Sequence, residues 1–200
     1  EYKDAIDCVN KLSAKFAECG QENYVEKCLV IAFEAVLMVF HTIATKPDEP
    51  TDFLYDAVNN YFSLLFKLDK IDSVIESSEK VIKVIEPYEN DKANIGHMYG
   101  YLLIGLMIKN DKTKFNGICS TVKGNLDYRS AEPVYYVERI YDSLFNLNDE
   151  EFKDNVRRLE YNHDVIKYLH NFYKSYKEKH GKLKQDDVIV EVKDDIDNYL

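Results

Sequence analysis

Few residues of this 200-residue chain have types and spacing that could do chemistry. Glu160-Tyr-Asn-His163 is a Glu-x-x-His, the i,i+3 spacing that can place a carboxylate and an imidazole on one helix face as metal ligands. A di-iron bundle needs two such pairs and two further glutamates, yet His41, His97, His170 and His180 have no Glu three residues before them. One such pair among 36 acidic residues and five histidines is what chance supplies, so no metal site and no cofactor is expected. Phosphate-binding glycine loops, the nucleophile elbow and the His-Glu-x-x-His helix are all missing, which removes the commonest nucleotide, hydrolase and zinc-protease signatures. Glu34, inside an apolar stretch, could be a perturbed acid, but Lys27 and His41 lie one seven-residue step away, so it is read as facing out or pairing.

Binding chemistry is better supported than catalysis. His163, Lys167, His170, Lys174 and Lys177 step by four, three, four and three, which lines them up as one basic stripe on a helix, with Ile166, Leu169, Phe172, Tyr173 and Tyr176 as the adjoining apolar face. Residues 153–184 hold nine Lys/Arg against four acids, a local +5, and 185–200 hold one Lys against six acids, a local −5. The stripe suits an acidic protein partner, or a nucleic-acid strand whose bases stack on tyrosine; alternatively it is a solvated face neutralised by the acidic C-terminal segment. Sixteen tyrosines and no tryptophan suggest aromatic contact surfaces as well, and Tyr135, Tyr136 and Tyr141 are the candidates for a partner-binding groove. With Lys+Arg 26 against Asp+Glu 36 the formal net charge is −10, which disfavours nucleic acid except at a local basic patch.

Helices must position these groups. Phe53, Ala57, Tyr61, Leu64, Leu65 and Leu68 recur at steps of three and four, as do Ile71, Val74, Ile75, Ser78, Ile82 and Ile85. Asp52 after Pro50-Thr51 is a start signal and Pro87 a stop. The same reasoning predicts helices near 2–18, 22–44, 91–109, 112–123, 133–147, 149–159 and 163–180. Val188-Ile-Val-Glu-Val192 is a β-branched run that reads either as one short C-terminal strand or as the start of a last helix. The longest apolar run, Leu29–Phe40, is twelve residues interrupted by Glu34, too short for the roughly 20 that a membrane span needs, so no membrane is expected as a partner. The chain opens Glu-Tyr-Lys-Asp, with neither initiator Met nor apolar leader, which reads as a piece of a longer protein without a secretory signal. Cys8, Cys19, Cys28 and Cys119 have spacings that fit neither zinc ribbons nor a disulfide framework, and no Asn-x-Ser/Thr occurs; a cytoplasmic or nuclear location is expected.

The joints between helices recur. Phe66-Lys-Leu-Asp69-Lys-Ile, Ile108-Lys-Asn-Asp111-Lys-Thr and Phe145-Asn-Leu-Asn-Asp149-Glu each follow a longer aromatic-bearing helix, their aspartates 42 and 38 residues apart, with Gly20 and Gly181 marking further joints. Each Asp is expected to cap the helix after it. Gly96, Gly100 and Gly105 within one helix each cost about 1 kcal/mol of helix propensity and predict close approach of a neighbouring helix. Helix pairs at this irregular period predict an all-α fold, an α-solenoid of antiparallel helix pairs over 1–181, followed by an acidic segment over 182–200.

Glu22-Asn-Tyr24 with the apolar helix Cys28 to Ala44, then Asn60-Tyr-Phe62 through Lys70, then Tyr99-Gly-Tyr-Leu-Leu103 before Asp111 resemble the degenerate, TPR-like repeat helices of PCI-superfamily subunits. Those are the scaffold subunits of the proteasome lid, the signalosome, translation initiation factor three and the mRNA-export complex. The resemblance covers about 1–123 and lacks the winged helix that completes the module, and Leu103, Tyr141 and Tyr61 stand where the tetratricopeptide pattern takes a small residue. It implies a scaffold whose partners are other protein subunits. The expectation is therefore a non-enzymatic protein–protein interaction scaffold, a subunit of a larger assembly. A compact acidic protein that masks a basic target, of immunity or pathogen type, and a helical-bundle enzyme or ligand binder are the alternatives.

Overall fold

A computed structural model describes residues 21–43, 52–87 and 92–196, the last fifteen of these as backbone, together with positions 4, 8, 11, 12, 15, 16 and 18–20. From residue 22 onward, eight helices follow one another among the described residues: α1 (Glu22–Ile43), α2 (Asp52–Lys67), α3 (Ile71–Ile85), α4 (Lys92–Ile108), α5 (Lys112–Asn125), α6 (Glu132–Asn146), α7 (Asp149–Arg158) and α8 (His163–Ile196). No strand occurs among the described residues, and the fold is all-α as expected. The helix expected over 2–18 lies largely outside the described residues, although the positions described between 4 and 18 are helical. The strand reading of 188–192 is corrected, because these residues continue α8 as helical backbone. A lone strand would have no ladder partner here, whereas Val and Ile in a helix cost only tenths of a kcal/mol each. For the same reason the expected boundary at 181/182 falls inside one helix.

Four joints share one backbone device. Gly20 (φ 67°), Asp69 (φ 56°), Asn110 (φ 57°) and Leu147 (φ 54°) are left-handed, and the residue after each donates its N–H to a carbonyl five positions back: Gln21 to Phe16, Lys70 to Leu65, Asp111 to Leu106 and Asn148 to Ser143. This is the Schellman closure, which satisfies orphan carbonyls of the ending helix. The expectation that each Asp caps the following helix holds at Asp111, whose side chain accepts from Lys114 N, and fails at the other two. Asp69 is the left-handed residue itself and accepts from the Tyr168 hydroxyl, while Asn148 caps α7 and leaves Asp149 free to bond α8.

The core is aromatic. Phe33, Tyr61, Phe62, Tyr101 and Tyr161 stand ring to ring at centroid separations of 4.5, 5.7, 4.5 and 4.4 Å, joining α1, α2, α4 and the α7–α8 joint. Tyr101, fully buried in α4, donates to Asn59. Helix α4 is apolar on all sides and packs against α3, α5 and α6, and its glycines are where the neighbours come closest. A Cβ on Gly96 would fall 1.8 Å from the Ser130 carbonyl oxygen, one on Gly100 1.8 Å from the Tyr161 hydroxyl, and one on Gly105 2.7 Å from Ile75 Cγ1. Successive helices touch, and α8 also returns to α2, where Ser63 donates to Asp164 and Tyr168 to Asp69. No helix of the described residues is long and apolar enough to cross a membrane.

Candidate functional site

Helix α8 carries the basic stripe. His163, Lys167, His170, Lys174 and Lys177 are all exposed, while of the expected apolar face Leu169 and Tyr173 are buried and Ile166, Phe172 and Tyr176 half-buried; Val165, outside that expected face, is buried as well. The stripe is not uniform. Lys177 Nζ bonds both Asp149 carboxylate oxygens at 2.8 and 2.7 Å, and the Tyr173 hydroxyl donates to the same carboxylate at 2.7 Å. These bonds, that of Lys177 foremost, hold Asp149 below the usual carboxylate range. Lys177 is thus committed to tying α8 to the start of α7. His170 sits edge-on to the buried Phe152, ring centroids 5.9 Å apart, and its imidazole is pushed below its ordinary value by burial first and then by the positive charges of Lys153 and Arg157. Those two α7 residues therefore extend the basic face across from α8.

Arg157 also belongs to a cleft of about 320 Å³ between the α5–α6 joint, α4 and the end of α7, lined by His97, Arg129, Glu132, Tyr136, Arg157, Arg158, Glu160 and Tyr161 among others. The polar groups are partly spent on one another. Tyr136 donates to Glu132 at 3.0 Å, Arg158 holds Asp154 at 3.1 Å and bonds Tyr136, and Tyr161 donates to the His97 carbonyl at 2.9 Å. Burial pushes the His97 imidazole below its ordinary value, against the opposing pull of Glu160 and Glu132, which favours the neutral form. Arg129 and Arg157 have no side-chain hydrogen bond or ion pair with the described residues. The cleft and the stripe thus share one edge at Arg157.

The other sequence candidates are dispersed. Tyr136 lines the arginine cleft. Tyr135 packs on Tyr128 with Lys123 Nζ 5.0 Å above its ring, and Tyr141 is buried against Phe115 at 4.4 Å. They do not form one groove, because residues one, five and six apart on a helix point in different directions. Glu160 lies in the α7–α8 joint and His163 is the first residue of α8, so the one-helix-face geometry of a Glu-x-x-His does not arise. Glu34 faces solvent 3.8 Å from Lys80, as expected of a pairing residue. Sequence reading missed His97, Arg129, Lys153, Arg157 and Arg158; the only signal was the Arg157-Arg158 doublet inside the basic 153–184 window.

Comparisons with protein-family models, with curated proteins and with solved structures gave no match to this chain.

Proposed function

We propose that this chain is a non-enzymatic interaction scaffold that holds an acidic segment of a partner protein on the face formed by α7, α8 and the arginine cleft. The observation that carries the reading is the pair Arg129 and Arg157, which have no carboxylate partner among the described residues yet sit at a cleft in a protein of net charge −10. Guanidinium groups take carboxylates bidentately, and an unpaired pair in a cleft whose Arg157 also acts, with Lys153, on His170 of the stripe complements an acidic strand or helix. Membership in a larger assembly, as in PCI-like scaffolds, belongs to the same proposal. Its support is the recurrence of one joint geometry at Gly20, Asp69, Asn110 and Leu147, as a chain built of repeated helix pairs would have. A cytoplasmic or nuclear location is also proposed, on the cysteine spacing.

The test is fluorescence anisotropy with a labelled, Glu-rich short peptide across a salt series, alongside a single-stranded oligonucleotide of equal length. Saturable, salt-sensitive peptide binding that vanishes in Arg129→Glu/Arg157→Glu/Lys167→Glu supports the reading. Peptide affinity unchanged by the triple variant overturns it, and preferential binding of the oligonucleotide replaces the protein partner with nucleic acid.

A further inference from the structure

A second cleft, of about 610 Å³, opens on the other side of α6 between the end of α4 and the later turns of α8. Its size falls in the range of small-molecule sites, roughly 300–1,000 Å³. Phe145, Phe172 and Tyr176 form aromatic walls over Met107 and Leu144, and Lys179 and His180 stand at the α8 end. The aromatic groups form a chain along it: Tyr141 to Phe145 at 4.7 Å, Phe145 to Tyr176 at 6.3 Å, Tyr176 to His180 at 4.3 Å. At the far end of that chain the Tyr141 side chain, 4% exposed, lines the cleft, and its hydroxyl has no hydrogen-bond partner. A buried hydroxyl without a partner costs about 1–3 kcal/mol, so its retention calls for a reason.

We propose that this cleft is a binding site for a planar aromatic carboxylic acid. The ring would lie against the wall of Phe172 and Tyr176, where offset stacking favours a flat π-system over an aliphatic tail. The carboxylate meets Lys179 and His180, and a hydrogen-bonding substituent at the opposite end of the ligand engages the Tyr141 hydroxyl. The contacts would be a cation at the rim, the ring faces of Phe172 and Tyr176 in the wall, and the phenol of Tyr141 at the far end, which has no hydrogen-bond partner. The site is separate from the arginine cleft and uses none of its residues.

The probe is 6-hydroxy-2-naphthoate, with 2-naphthoate as the analogue lacking the distal hydroxyl, titrated by calorimetry against the full chain. Saturable one-to-one binding is expected, with 2-naphthoate about fivefold weaker, the equivalent of one hydrogen bond near 1 kcal/mol. Tyr141→Phe should erase that fivefold difference, leaving 2-naphthoate affinity unchanged; the variant only removes an unpartnered hydroxyl, so it should fold at least as stably as the parent. Lys179→Glu should weaken both ligands at least tenfold, and Ser175→Trp, which fills the cleft from an exposed position of its lining, should abolish binding. Absence of saturable binding, or affinities that Tyr141→Phe, Lys179→Glu and Ser175→Trp leave unmoved, overturns the proposal.

Discussion

Replacing Gly100 with alanine should destabilise the protein although alanine is the better helix former. The added Cβ would sit 1.8 Å from the Tyr161 hydroxyl oxygen and 3.1 Å from Tyr161 Cζ, with Pro133 Cβ at 3.5 Å on another side. Tyr161 cannot simply swing away, since its ring is stacked on Tyr101 at 4.4 Å and its hydroxyl donates to the His97 carbonyl at 2.9 Å. Overpacking of this kind costs about 1–3 kcal/mol, and loss of the hydrogen bond adds about 1, against a propensity gain of about 1. The expected net loss is therefore roughly 1–3 kcal/mol, read from urea unfolding followed by helical circular dichroism, with the slope unchanged. In a Tyr161→Phe background the 1.8 Å contact disappears and the cost of Gly100→Ala should shrink by at least about 1 kcal/mol, a coupling of the size expected for touching residues. If Gly100→Ala is neutral or stabilising in the parent, or costs the same in both backgrounds, the close approach of the α7–α8 joint to α4 is wrong.

Leu147→Gly should stabilise the protein by about 0.5–1 kcal/mol, because a left-handed leucine costs about 1–2 kcal/mol and glycine returns part of this as unfolded-state entropy; a raised urea midpoint checks it. Lys177→Glu should lower that midpoint by setting a carboxylate against Asp149, whereas Lys167→Glu, at an exposed and unpaired position, should stay within about 0.5 kcal/mol of the parent. The His97 and His170 imidazoles should both titrate below 6.5 by NMR. Since the unfolded chain then binds these protons more readily than the native one, stability should fall as pH drops below about 6.5; a value above it would contradict the burial of His97 or, for His170, its contact with Phe152 and the nearby charges of Lys153 and Arg157.

Three of the joints were legible because an apolar period ended at a residue that tolerates left-handed geometry. Gly20 and Asn110 are common in left-handed geometry and Asp69 tolerates it, but Leu147 is not, so nothing local marks it as their equivalent. Aligning the joints on Asp69, Asp111 and Asp149 consequently slips by one and then two residues, and gives Asp149 a cap role that Asn148 fills. The α8 stripe followed from its spacing, but the loss of Lys177 to Asp149 depends on how α7 meets α8, which no period encodes. The arginine cleft gathers residues from 97 to 161, a convergence with no signature in any single window. The dispersal of Tyr135, Tyr136 and Tyr141, by contrast, follows from 3.6 residues per turn alone.

The return of α8 to α2 has a consequence in time. Ser63 and Asp164 are 101 residues apart and Asp69 and Tyr168 99 apart, whereas the neighbouring helices close over far shorter loops. At a synthesis rate of roughly 5–20 residues per second, α2 emerges from the ribosome some 5–20 s before the helix that covers it. During that interval the α2 flank bearing Ser63 and Phe66 is without α8, and Phe66 will pack on Tyr168 only when the latter arrives. A nascent chain stalled before residue 163 should therefore bind holdase chaperones that a chain completed past 173 releases.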